Sequence, residues 1–148
     1  MITFFNFDII DVNNHLMNAF NLVATRNNSG TKTFILNFLK EINKKKIEQK
    51  IVIFISKSYF DIIDQKINDK IIFKIKSNLI DNFILRSIWL HFILPFELKI
   101  LGVKTLFSPL NYCPILIRLF KIRSVLFVHT VMHWEYPKLL PGSYLKNK

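Results

Sequence analysis

Glycine, proline and cysteine are scarce in this chain of 148 residues, which holds three glycines, five prolines and one cysteine. So little glycine and proline excludes a collagen-like or linker-rich polypeptide, and with 51% hydrophobic residues there is apolar surface enough for one sizeable core. The lone Cys113 has no partner for an internal disulfide, which fits a reducing compartment; in its apolar context beside Pro114 it reads as a small buried residue. An uninterrupted membrane-spanning run is missing too. The longest apolar segment, Phe83 to Leu101, is broken by Arg86, His91, Pro95, Glu97 and Lys99, whereas a spanning helix needs about 20 nearly uncharged residues. The amino terminus lacks the basic region, apolar core and small-residue cleavage site of a signal peptide. A cytoplasmic location is therefore expected, with peripheral contact at the inner face of the cell membrane as its extension.

Acidic residues are also few, 10 against 21 lysines and arginines, for a formal net charge of +11. Such a field attracts polyanions: a nucleic acid, an anionic membrane surface or a phosphorylated substrate. The lysines are scattered, and no recognition helix, zinc finger or aromatic RNA-binding signature accompanies them, so nucleic acid is not an expected partner. The abundance of Ile, Phe, Asn and Lys is also what an AT-rich genome imposes, so charge alone does not select a ligand.

What is present is an alternation of apolar runs and helical patterns. Phe20 to Thr25 reads as a strand that stops at the turn-rich Arg26-Asn27-Asn28-Ser29-Gly30. From Thr31 the apolar residues Phe34, Ile35, Phe38, Leu39 and Ile42 recur at helical spacing, with Ser29 or Thr31 as the expected cap. Ile51 to Ile55 is a continuous β-branched run of the kind covered on both faces in parallel sheets. A short helix is expected over Tyr59 to Ile67 and a third strand over Ile71 to Ile75. A long amphipathic helix follows, capped by Asp81, broken near Pro95 and ended by Gly102. Strands over Thr105 to Ser108 and Val125 to His129 complete the reading: an α/β, Rossmann-like fold with a mostly parallel sheet flanked by helices.

Ligands of such sheets sit beyond the carboxyl ends of the strands. Polar residues gather at those ends: Asn28, Ser29 and Gly30, then Ser56, then Ser108 to Asn111, then His129 to Glu135. The Asn28-Ser29-Gly30-Thr31 loop before the first helix suits an anion through its free N–H groups. It has neither G-x-G-x-x-G nor G-x-x-x-x-G-K-[ST], and no G-x-S-x-G elbow occurs elsewhere. His129 and His133 have the spacing of a zinc motif, but Thr130 stands where its glutamate belongs and a strand end does not put both rings on one face, so no metal is expected. Two readings of His129 stand side by side: a hydrogen-bonded core histidine with Trp134 and Tyr136 covering the sheet end, or a group that meets substrate.

Taken in order, SGTKTFILNFLKEI from Ser29, RSIWLHFILPFELKILGVKTLFSPLNYCP from Arg86 and VHTVMHWEYPKLLPGSY from Val128 resemble the N-terminal domain of retaining GT-B glycosyltransferases of the group 1 family. The resemblance implies transfer of a sugar, as by a hexosyltransferase, from a nucleotide-sugar co-substrate to a polysaccharide or lipid-linked glycan, with no other cofactor and no obligate metal. The absence of a D-x-D triplet agrees with this. By similarity, Asn28, Ser29 and Gly30 lie near the donor phosphates. Asn111, His129 and Glu135 then line the sugar and acceptor side, with His129 as the candidate catalytic residue, although Thr130 replaces the aspartate that many relatives carry there. Residues 1–17 have no place in the resemblance and read as a non-native or extra segment, with Met17 as the expected start. Residues 18–148 correspond to part of the acceptor-side domain. The C-terminal donor domain is absent, so a second polypeptide carrying it is an expected partner and the chain alone is expected to be inactive. The alternative is a noncatalytic basic α/β module that binds an anionic membrane surface or a glycosyltransferase.

Overall fold

A computed structural model describes residues 17–24, 29–63, 68–109 and 112–127. Five strands form one sheet: β1 (Met17–Leu22), β2 (Ile51–Ser56), β3 (Ile71–Lys76), β4 (Val103–Ser108) and β5 (Arg123–Leu126). The spatial order is β3-β2-β1-β4-β5 and every neighbouring pair is parallel. The sheet thus grows outward from β1 in one direction, then the chain crosses back to start again on the other side of β1. Such reversal of strand order is the hallmark of Rossmann-like sheets.

Helices cover both faces. On one lies α1 (Ser29–Lys44), whose Ile35, Leu39 and Ile42 pack with Phe20, Leu22, Ile53 and Ile55 of the sheet. The one-turn α2 (Lys57–Phe60) adds Tyr59 to the same core. On the opposite face lies the continuous helical stretch 83–100, made of α3 (Phe83–Ile88), a π turn (Trp89–Ile93) and α4 (Leu94–Ile100). Its Trp89, Leu90, Leu94 and Leu98 pack on Ala19, Val52, Phe54 and Leu106, joined by Ile117 from a 3-10 helix over Ile115–Phe120. Alternation along β1 divides the two cores: Ala19 and Val23 face one, Phe20 and Leu22 the other. Every residue of β2 is buried, as its uninterrupted apolar run requires of a strand with helices on both sides.

Several boundaries differ from the sequence reading. Strand β1 spans Met17–Leu22 rather than Phe20 to Thr25: Asn18, polar and strand-averse, is buried and paired with β2 and β4, and Asn21 is buried as well. Asn21 turns its own Oδ1 onto the Val23 N–H at 3.3 Å, satisfying its carboxamide oxygen locally. Helix α1 begins at Ser29, so Ser29 and Thr31 are helical residues and not its cap. Helix α2 stops at Phe60 because the N–H groups of Ile62 and Ile63 bond three residues back, to Tyr59 and Phe60, and tighten the chain into a turn. Asp81 ends a separate 3-10 turn over Asn78–Asp81, and the cap of α3 is Asn82, whose Oδ1 accepts the N–H groups of Ile84 and Leu85. The break expected near Pro95 takes the form of the π turn just before it, which absorbs the hydrogen bond that proline cannot donate. Gly102, at φ +70°, ends the helix as its left-handed conformation demands. Strand β5 begins at Arg123, two residues before the expected Val125, because Lys121 (φ 55°) turns the chain out of the 3-10 helix early.

Candidate functional site

The reversal of strand order lies between β1 and β4, so α1, which follows β1, and the 3-10 helix, which follows β4, lie on opposite faces of the sheet, and a gap is expected between the two connections at the carboxyl edge. Three buried polar residues mark this edge. Ser56, at the end of β2, donates its Oγ–H to the Ala24 carbonyl at 3.0 Å and accepts the Ala24 N–H at 3.2 Å, which fixes where the chain leaves β1. Ser108, at the end of β4, is fully buried and its Oγ has no hydrogen-bond partner. Asn21 completes the set from β1.

Beside the gap, on the face carrying residues 83–100, is a hollow of about 100 Å³ lined by Asn21, Val23, Arg86, Trp89, His91 and Tyr112 among others. Of the side chains that line it, Arg86 and Trp89 each have a buried donor, Nη1 and Nε1, without a hydrogen-bond partner. The guanidinium rests against the Phe83 ring, with its carbon 5.8 Å from the ring centroid. His91 accepts the Ile115 N–H on Nδ1 at 3.3 Å, so a neutral ring carries its proton on Nε2. Among the described residues no carboxylate lines the hollow. A wall with surplus donors and no anion is complementary to an acceptor-rich group such as a phosphate, a carboxylate or a sugar oxygen.

A second and larger cavity, about 360 Å³, opens on the other face between the first turns of α1 and α2, lined by Lys32, Ser58, Tyr59, Asp61, Ile62 and Asn78. Burial pushes the Tyr59 phenol above its ordinary pKa, and the Asp81 carboxylate adds to the shift. Ser58 Oγ is buried without a partner. Cation, carboxylate, phenol and hydroxyl in one cavity suit a polar, neutral ligand with several hydroxyls more than a free anion.

Of the residues expected at the site, Gly30 lies in the exposed first turn of α1, whose N–H groups have no intrahelical partners and whose first turn contains no acidic side chain. Ser29 opens the same turn. Ser29, Gly30 and Thr31 of the expected Asn28-Ser29-Gly30-Thr31 loop are therefore the start of the helix itself. Asn28, Asn111, His129 and Glu135 lie outside the described residues, as does His133. Arg86, Trp89 and His91 were legible only as parts of a helix. The signal that could have found them is an arginine and a histidine set five apart in the largely apolar first half of this helix, with a tryptophan between them whose N–H needs a partner.

Among the described residues, no cluster of three or more His, Cys, Asp or Glu side chains could hold a metal ion, and no helix is long and apolar enough to cross a membrane. Comparison of the chain with protein-family models, with curated proteins and with solved structures returns no match.

Proposed function

We propose that the carboxyl edge of this sheet is the acceptor-side wall of a glycosyl-transfer site, where a sugar passes from a nucleotide-sugar to a polysaccharide or lipid-linked glycan. The observation that carries the reading is the strand reversal between β1 and β4 with the unpartnered donors of Arg86 and Trp89 beside it. Acceptor glycans present oxygen lone pairs, which those donors would satisfy, and the sequence resemblance supplies the reaction class. In this proposal Arg86 and His91 orient the acceptor, His129 meets the reacting hydroxyl, and the α1 amino terminus at Ser29 and Gly30 faces donor phosphate. Stabilising the departing nucleotide diphosphate requires a preorganised cleft with two walls. The second wall is proposed to be a donor-binding domain.

The test is a transfer assay with a panel of nucleotide-sugars and lipid-linked acceptors, run on the chain alone and mixed with a GT-B donor domain. Turnover only in the mixture, with acceptor affinity lowered at least about tenfold by Arg86→Gln, supports the proposal. Absence of turnover in both, together with no glycan-induced NMR shifts at Arg86, His91 or Tyr112, removes it.

A further inference from the structure

The stretch 83–100 buries one side in the core, yet its outer side is apolar as well. Ile84, Ile88, Phe92, Phe96 and Ile100 recur every fourth residue and are 65%, 46%, 56%, 55% and 84% exposed. On a regular helix of 3.6 residues per turn such a row drifts by about 40° per step. The wider π turn over Trp89–Ile93 takes up part of that drift, so the row forms one stripe along the helix. The neighbouring 3-10 helix extends it. Phe120 packs edge-on against Phe96 at 4.8 Å, and the Ile115 N–H is bonded to His91, which sets the exposed Ile115 and Leu119 alongside the stripe. Together these side chains leave on the order of several hundred Å² of contiguous apolar surface in water, the upper end of what monomeric soluble proteins tolerate.

The charge of this layer is mostly positive. Asp81 lies in the 3-10 turn packed on α3, and between Phe83 and Phe127 the chain has six cations, Arg86, Lys99, Lys104, Arg118, Lys121 and Arg123, and a single carboxylate, Glu97. That carboxylate is already engaged, by Lys76 at 2.6 Å. Lys99, Lys104, Arg118, Lys121 and Arg123 are all exposed. An exposed apolar stripe in a segment whose exposed charges are cations is the kind of surface that binds an anionic lipid bilayer, with apolar side chains entering the acyl boundary and cations meeting headgroups. A protein partner would need a matching acidic, apolar face; a second copy of this chain would bring like charge against like charge.

We infer that the outer stripe of residues 83–100, with Ile115 and Leu119, docks this protein on an anionic bilayer. The inference is independent of the transferase reading, since it uses neither the hollow at β1 nor any sugar. The experiment is flotation of the full chain with vesicles of phosphatidylcholine alone or mixed with phosphatidylglycerol, at low and high salt, beside a sedimentation measurement of its mass. The chain is expected to float with the anionic vesicles only and to be released as salt rises. Phe92→Glu combined with Phe96→Glu is expected to lower the bound fraction at least tenfold while leaving the circular dichroism spectrum intact. Lys40→Glu on α1 changes net charge by the same amount and is expected to leave most of the binding in place. Equal binding to neutral vesicles, equal loss with Lys40→Glu, or no flotation together with a dimer that the Phe92/Phe96 variant dissociates would each overturn the inference.

Discussion

The two helical layers of this protein bury similar surfaces and present different ones. Helix α1 packs Ile35, Leu39 and Ile42 inward, and its exposed positions are led by Lys32, Lys40, Glu41 and Lys44, with no large apolar residue among those exposed. The stretch 83–100 packs Trp89, Leu90, Leu94 and Leu98 inward and turns isoleucines and phenylalanines outward. Both layers are basic, so charge does not distinguish them. The difference teaches that inward packing suffices to hold a helix on a sheet, and that the outward residues are free to answer to something else.

If the two layers are equally anchored, truncating either core should cost the same. Leu94→Ala and Ile35→Ala, both fully buried, are each expected to destabilise the fold by about 2–5 kcal/mol in urea unfolding. A much smaller cost at Leu94 would show the 83–100 layer to be loosely held and break the comparison. Next in size is the pair that ties this layer to the sheet, Lys76 with Glu97. Lys76 is largely buried and its ammonium lies 5.4 Å and 5.3 Å from the Phe54 and Trp89 ring centroids. Glu97→Gln leaves that ammonium poorly partnered and is expected to cost about 1–3 kcal/mol. Loss of the α3 cap in Asn82→Ala should cost about 1 kcal/mol, read from the same denaturation curves.

Smaller effects belong to the α1 layer. The Tyr59 phenol titrates above its ordinary value, through burial first and the Asp81 carboxylate second. Its stabilising contribution is therefore fully present below about pH 10, where an unfolded tyrosine ionises, and is lost as pH rises through the folded value. Absorbance titration should show Tyr59 ionising above the ordinary tyrosine range, and a Tyr59→Phe variant should lose less stability than the parent on going alkaline. Least of all, Glu41→Gln should leave the Tm unchanged. Its carboxyl is held below the usual range by the Lys44 hydrogen bond, but the pair is exposed to solvent and salt. Whatever it contributes is present at neutral pH and disappears on acidification through the carboxylate range.

The parallel sheet was legible because its signals are local. A run such as Ile51 to Ile55, or Thr105 to Ser108 soon after a helix-ending glycine, has few other ways to hide its apolar side chains, and the strands extend these runs only to Ser56 and back to Val103. Strand β1 was partly hidden by Asn18 and Asn21, which are tolerated because the fold closes over them and Asn21 satisfies itself on Val23. The outward stripe was harder still. A helix apolar on both sides gives the same periodic inward signal as an ordinary amphipathic one, so the excess reads as core. The candidate site was least legible, since Arg86, Trp89 and His91 meet Asn21 and Tyr112 only after the chain has crossed the sheet. Sequence proximity carries no trace of that meeting.

Strand β2 has a consequence beyond its place in the fold. Ile51-Val52-Ile53-Phe54-Ile55-Ser56 is six residues long, uncharged, free of proline and rich in β-branched side chains, the composition from which cross-β assemblies form. In the folded chain it lies shut between β1 and β3, with Lys50 and Lys57 at its two ends as charged gatekeepers. Those two lysines oppose stacking only weakly once the neighbours detach. Heating should therefore end in precipitation before refolding can compete, and the working lifetime of this protein is set by how rarely β2 is uncovered.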